Sequence, residues 1–136
     1  MMNTLSLEEA GTFFKRYTKF FDEENWPEFA SLFHEPAMSV RGDGSVHVLA
    51  SKPETEAFFQ KVSASWRKES YDTFSISDMH VLPLGTLSGL VTFTWHMNAS
   101  DGKVIKQWRQ SYQLVRANAG WRVLCSTFHV SRNLEG

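Results

Sequence analysis

Residues 86–116 read TLSGLVTFTWHMN, then ASDG, then KVIKQWRQSYQLVR: two runs of alternating side chains on either side of a short turn signal. In the first run Val91, Phe93, Trp95 and Met97 fall on one side, and Thr92, Thr94 and His96 on the other. A period of two marks a half-buried strand, and Asp101-Gly102 between two such runs marks a hairpin. The second run, 103–116, puts Trp108, Gln110, Tyr112 and Leu114 on one face. Arg109, Ser111, Gln113 and Val115 fall on the other, a face that suits water or a polar subunit contact.

Working outward, residues 118–120 make the next turn and 121–131 read as a closing strand. Upstream, 71–82 alternates with a slip near Asp78, where a bulge is expected, and 83–85 make a turn. Before that the period changes. Leu7, Ala10, Phe13, Phe14, Tyr17, Phe20 and Phe21 recur on one helical face, and Ser6 with Glu9 forms a capping box. Asn25 caps a second helix, with Pro27 in its first turn; it carries Phe29, Leu32 and Phe33 and stops at Pro36. Short strands at 38–41 and 46–49 flank the turn Gly42-Asp43-Gly44-Ser45. A third helix starts at Ser51 and shows Phe58, Phe59, Val62 and Trp66. Helices first and long strands afterwards give an α+β order, three N-terminal helices packed on a curved antiparallel sheet around a conical interior.

The 136 residues suit a single domain, and 42% hydrophobic against 21% charged residues exclude a disordered chain. Aromatics reach 14%, enough either to fill a core or to line a ligand cavity. Fourteen basic and fifteen acidic residues leave a net charge of −1 without a basic cluster, which argues against a nucleic-acid partner. The start MMNTLSLEEAG has no signal-peptide pattern, and no apolar run approaches the roughly 20 residues of a membrane span. A cytoplasmic protein with no membrane partner is expected. Cys125 is the only cysteine, which excludes an intrachain disulfide or a Cys-rich zinc site. His47 and His80 have no ligand partner at useful spacing, so neither a metal nor a cofactor is expected.

Short fragments in order along the chain carry a resemblance. They are Lys15-Arg16-Tyr17 in the first helix, Ala30-Ser31-Leu32-Phe33-His34 ending the second, and Leu84-Gly85 before the long strand. Leu114-Val115-Arg116 followed by Gly120-Trp121-Arg122-Val123 at the last hairpin completes the set. Together they resemble the nuclear transport factor 2-like superfamily, particularly its SnoaL-like and ketosteroid-isomerase-like branches. That resemblance implies one SnoaL-like domain over 1–136, with a cystatin-like sheet wrapped around a cone-shaped pocket and dimers formed through the outer sheet face. The superfamily includes isomerases, cyclases, dehydratases and epoxide hydrolases as well as binding modules, so function has to be argued from the site.

The isomerase branch needs a carboxylate base beyond the second helix, a tyrosine, and a protonated acid to stabilise an oxyanion. The resemblance matches Tyr17 to the tyrosine but puts Arg41 at the base position, with Asp43 two residues later. Residues 103–116, expected to carry the acid, contain neither Asp nor Glu. The isomerase acids are therefore absent. Tyr17 reads as a ligand-facing phenol or as an aromatic of the core. Arg41 reads as a fork of donors for an anion or as a surface arginine beside a turn. His96 and His129, on strands, could act as acid or base with Tyr17 and Asp43, or be hydrogen-bonded strand residues. Trp66, Trp95, Trp108 and Tyr112 are candidates for a pocket lining, a core or a dimer contact. The expectation is a homodimer that binds a small apolar or aromatic molecule through Tyr17, Arg41 and these four aromatics. The alternatives are an acid–base enzyme of dehydratase, cyclase or isomerase type using Tyr17 with His96 or His129, and a structural dimerisation module with a filled interior.

Overall fold

Ser6 begins the first helix, α1 (Leu7–Asp22), with a closed capping box. The Glu9 N–H donates to Ser6 Oγ at 3.0 Å, and the Glu9 carboxylate accepts from the Ser6 N–H at 3.3 Å. The computed structural model describes residues 3–118 and 120–130, so Ala119 of the last turn and Ser131 of the closing strand lie outside the described residues. The buried face of α1 holds Ala10, Phe13, Phe14, Tyr17 and Phe21, while Phe20 is half-buried at its margin and Leu7, expected on this face, is exposed in the first turn. Asn25 caps α2 (Trp26–Ala30), and Ser51 caps α3 (Lys52–Arg67).

The second helix is shorter than its apolar spacing suggests. Leu32 closes the last turn on the Phe29 carbonyl at 3.1 Å, and Phe33 already opens strand β1 (Phe33–Val40). Phe29, Leu32 and Phe33 are all buried in the same core, so a helix and a turn-to-strand path leave the same apolar pattern. Pro36 lies within β1 instead of ending a helix. It falls where the pairing register is interrupted between Phe33 and Met38, so its missing N–H breaks no regular ladder.

The remaining strands are β2 (Val46–Leu49), β3 (Thr73–Leu84), β4 (Ser88–Asn98), β5 (Val104–Ala117) and β6 (Gly120–Phe128). They form one six-stranded sheet in the order β2-β1-β6-β5-β4-β3. All neighbours are antiparallel except β1 and β6, which makes the sheet mixed where an antiparallel one was expected. The reason is topological: the meander β3 to β6 brings its last strand back alongside the first, running the same way. β3 extends through Pro83 to Leu84, beyond the expected turn, because an edge strand tolerates proline.

Register slips bend the sheet around the helices. The slip expected near Asp78 is present between Ser77 and His80, with Asp78 at φ 55°. Another lies between Gln113 and Leu114 in the pairing of β5 with β6. It changes the parity of β6: Trp121 and Val123 are buried, then Ser126. No helix among the described residues is long and apolar enough to cross a membrane.

The core is a lattice of rings. Phe14 packs against Phe93 at 4.8 Å and Tyr112 at 4.7 Å between centroids, tying α1 to β4 and β5. Phe29 packs against Tyr17 at 4.7 Å and Phe59 at 5.0 Å, tying α2 to its two longer neighbours. Such pairs add about 0.5–1.5 kcal/mol each beyond area burial. Phe14→Ala is expected to cost about 3–5 kcal/mol in urea unfolding. The solvent-facing substitution Glu8→Ala, on the same helix, is expected to stay within about 0.5 kcal/mol of the wild type.

Candidate functional site

Seven elements converge on one interior hollow. Tyr17, Thr18 and Phe21 come from α1, Phe59 and Trp66 from α3, and Phe74 and Trp95 from β3 and β4. Trp108, Gln110 and Tyr112 come from the inward face of β5, Phe128 from the end of β6, and Arg41 from the turn after β1. The strand alternation turns Trp95, Trp108 and Tyr112 toward the interior, and α3 adds Trp66. The space between them is tight. The centre of a water molecule can move through about 30 Å³, and the whole void, open mouth included, is about 360 Å³.

At the inner end three groups form a polar chain. The Trp95 indole N–H donates to the Tyr112 hydroxyl at 2.8 Å, and Tyr112 is in turn hydrogen-bonded to Tyr17. Burial pushes the Tyr17 phenol up to about 12, partly opposed by the Tyr112 bond and by the Arg41 charge. Tyr112 is raised well above its ordinary value, first by burial and then by Tyr17. Both phenols are neutral hydrogen-bonding groups at neutral pH.

Halfway out, the Trp108 indole donates to Gln110 Oε1 at 2.9 Å. Gln110 is buried, and its amide nitrogen makes no hydrogen bond with a described residue. Trp108 lies flat on Phe128, 5.3 Å between centroids and 9° between planes.

Arg41 occupies the mouth. It sits two residues after Ser39 on the inward side of β1, and Nη1 donates to Ser39 Oγ at 3.1 Å. Ser39 is itself fully buried and accepts from Ser126 Oγ at 3.3 Å, so a pair of strand serines anchors the guanidinium. Its carbon lies 4.6 Å from the Phe128 ring centroid, 5.4 Å from Phe58 and 5.9 Å from Trp66. Burial lowers the Arg41 pKa, while Tyr17, Tyr112 and the Asp43 charge act in the opposite direction. Arg41 is half-buried, with one side in the hollow and the other in the open groove beside the turn. Asp43 stays on the exposed turn, where hydrogen bonds from Ser45 lower its pKa first of all.

The histidines are not in the hollow. His96 alternates with Trp95 and Met97, which point inward, and its Nε2 lies 2.7 Å from Ser77 Oγ on the outer face. His129 follows β6, exposed, with Nε2 2.6 Å from Ser111 Oγ. The sheet separates both rings from Tyr17, so the acid–base pairing of Tyr17 with His96 or His129 is not assembled. The physical reason is parity: a residue next to an inward ring on a strand faces outward. His34 lies in β1 instead of ending a helix, with Nδ1 2.8 Å from the Pro36 carbonyl oxygen. His47 packs on Phe58 and His80 pairs with Asp78.

A second polar knot lies beside the hollow and holds its wall. The Tyr71 hydroxyl donates to Asp22 Oδ1, the Phe74 N–H donates to the same carboxylate at 3.2 Å, and Arg67 Nη2 donates to the Asp22 carbonyl at 2.9 Å. Burial raises the Asp22 carboxyl, with the Tyr71 bond opposing it, and burial together with Asp22 raises Tyr71. This knot ties α1, α3 and β3 together.

Sequence reasoning missed Thr18, Phe21, Phe59, Phe74, Gln110 and Phe128 as lining residues. Gln110 had a signal, a lone amide between two inward aromatics. Phe128 had none, because the strand slip reverses the parity that would have placed it.

A bent sheet closed on one side by three helices around an aromatic interior defines a class, the NTF2-like proteins of cystatin-like fold. The chain belongs to that family: residues 8–131 match the one described as NTF2-like protein (DUF6841). Among solved structures it is similar to Aln2 from a Streptomyces species, at 19% identity with 93% of each chain covered and a TM-score of 0.70. It is also similar to a protein of unknown function with a cystatin-like fold from Nostoc punctiforme, at 11% identity, 97% and 98% coverage and a TM-score of 0.74. An NTF2-like protein from Novosphingobium aromaticivorans matches at 12% identity, covering 89% of this chain and 79% of its own, with a TM-score of 0.71. Comparison with curated proteins found no match. At these identities the likeness is one of fold.

All three tyrosines, Tyr17, Tyr71 and Tyr112, hold their protons more tightly folded than unfolded. The unfolded chain therefore releases protons first, and stability falls as pH rises above about 10. Tyrosinate absorbance is expected to show no titration phase ahead of alkaline unfolding. Tyr17→Phe should gain stability relative to the wild type between pH 10 and 12, on the order of 2–3 kcal/mol at the upper end.

Proposed function

We propose that this chain is a cytoplasmic binding protein that takes a small aromatic molecule into the hollow between helices and sheet. The observation that carries this reading is the mismatch between wall and polar groups. The wall is aromatic, yet Gln110 and Arg41 hold donors that no described residue uses, and Tyr17 adds a neutral phenol. A filled core has no need of such donors, whereas a ligand site places a few polar groups in an apolar cleft. Among the described lining residues there is no carboxylate or histidine to move a proton, which favours binding over the isomerase or dehydratase reading. The proposal includes pairing of two copies through the outer sheet face, where Arg109, Gln113 and the histidine–serine pairs lie.

A second reading has its own observation. The 30 Å³ open to a water centre exceeds the roughly 10–15 Å³ that one water needs, but falls far below the ~300 Å³ of typical ligand sites. On that reading the rings fill the interior and the domain serves only to assemble. The two differ in a thermal-shift and tryptophan-fluorescence screen of one- and two-ring compounds, including indole, benzamide, benzoate and naphthalene. A bound compound at a hundredfold excess over its dissociation constant should stabilise the fold by about 2.7 kcal/mol and perturb the emission of Trp66, Trp95 and Trp108. If no compound does either, the interior is filled and the assembly reading stands.

A further inference from the structure

We infer that the ligand of this hollow is a monoanionic aromatic acid, with its ring among Trp66, Trp108 and Phe128 and its carboxylate on Arg41. The inference rests on the binding reading above and names the chemistry of that site.

The argument starts from Arg41. A guanidinium carries five N–H donors, and here a single hydrogen bond to a described residue is made, the one to Ser39. The cation is half-buried among three aromatic rings and forms no ion pair with a described carboxylate. Ring faces stabilise a cation but accept no hydrogen bonds in its plane, so the fork of donors is left for a partner. A carboxylate matches that fork with two parallel bonds.

The surroundings point the same way. The other polar side chains of the hollow, Tyr17, Thr18, Tyr112 and Gln110, all have N–H or O–H groups, and no described lining residue is acidic. An amine or other cation would meet Arg41 without compensation, whereas an anion is welcomed. Arg41 and Trp66 also line the shallow groove just outside, and that groove adds the Lys61 ammonium. Positive charge therefore continues outward along the path an anion would take. Asp43, on the nearby turn, is the opposing charge that acts on Arg41, and it is exposed to solvent. The wall is built of flat ring faces, with Phe128 parallel to Trp108 and Trp66 against Trp108, and such a wall selects a flat aromatic body.

The test compares benzoate with benzamide, an uncharged partner of nearly the same shape, by calorimetry on the wild-type protein at low salt. Benzoate is expected to bind at least tenfold more tightly, and the advantage is expected to shrink as ionic strength rises. Arg41→Gln should erase the difference between the two compounds. Ser39→Ala, which frees the guanidinium from its anchor, should weaken benzoate binding more than benzamide binding. Equal affinity for the two compounds in the wild type overturns the acid inference and leaves the aromatic pocket intact. If neither compound binds, nor any neutral ring compound of the wider screen, both readings fall together. The wild-type comparison decides the matter even if Arg41→Gln does not fold.

Discussion

Phe14 meets Phe93 and Tyr112 where α1 crosses β4 and β5, and the geometry of the molecule follows from that contact. A helix laid on a sheet needs one stripe of large side chains facing a row of inward strand residues, and here both are aromatic. Rings are rigid and meet at preferred angles, so they fix the helix position more narrowly than branched aliphatics do. Once α1 is held, Tyr17 and Phe21 one and two turns further on must enter the space between helix and sheet. That space is closed by α2 and α3, whose Phe29 and Phe59 touch each other across it. The hollow is what remains when three helices and a bent sheet are packed with inflexible side chains.

Polar groups in that interior fall into separate kinds. The Asp22–Tyr71 knot and the Ser39–Ser126 pair each join elements that would otherwise meet only through apolar contacts. Their hydrogen bonds run between elements and define relative positions, although Arg67 Nε is left without a partner among the described residues. Arg41 and Gln110 differ, because each spends only part of its hydrogen-bonding capacity on the protein.

Local chemistry was legible in the sequence. Ser6 with Glu9, Asn25 and Ser51 announce three helix starts because a side-chain oxygen beside an orphan N–H is a short-range effect. The inward row of β4 and β5 is equally readable, since alternation needs only two neighbours and a buried side. The slip at Asp78 showed as a break in that alternation. Less legible was whatever depends on distant partners. The α2–β1 boundary was hidden because Leu32 and Phe33 are buried in either conformation. The parallel pairing of β1 with β6 joins strands from opposite ends of the chain and leaves no local mark. The shift in β6 that turns Phe128 inward exists only in relation to β5. His96 and His129 were hard to place for a related reason: strand parity assigns faces, but the side on which the hollow forms is decided by where the helices lie.

The two outer strands have a further consequence for life in a crowded solution. β2 is only four residues long, and β3 is interrupted by a left-handed Asp78 and carries Pro83 near its end. An open sheet edge is a template onto which a stray strand can be added, and long flat edges seed aggregates. Here one edge is too short, and the other is kinked, charged and short of a donor where proline replaces an amide. The features that bend the sheet around its interior also make its margins poor places for another chain to grow.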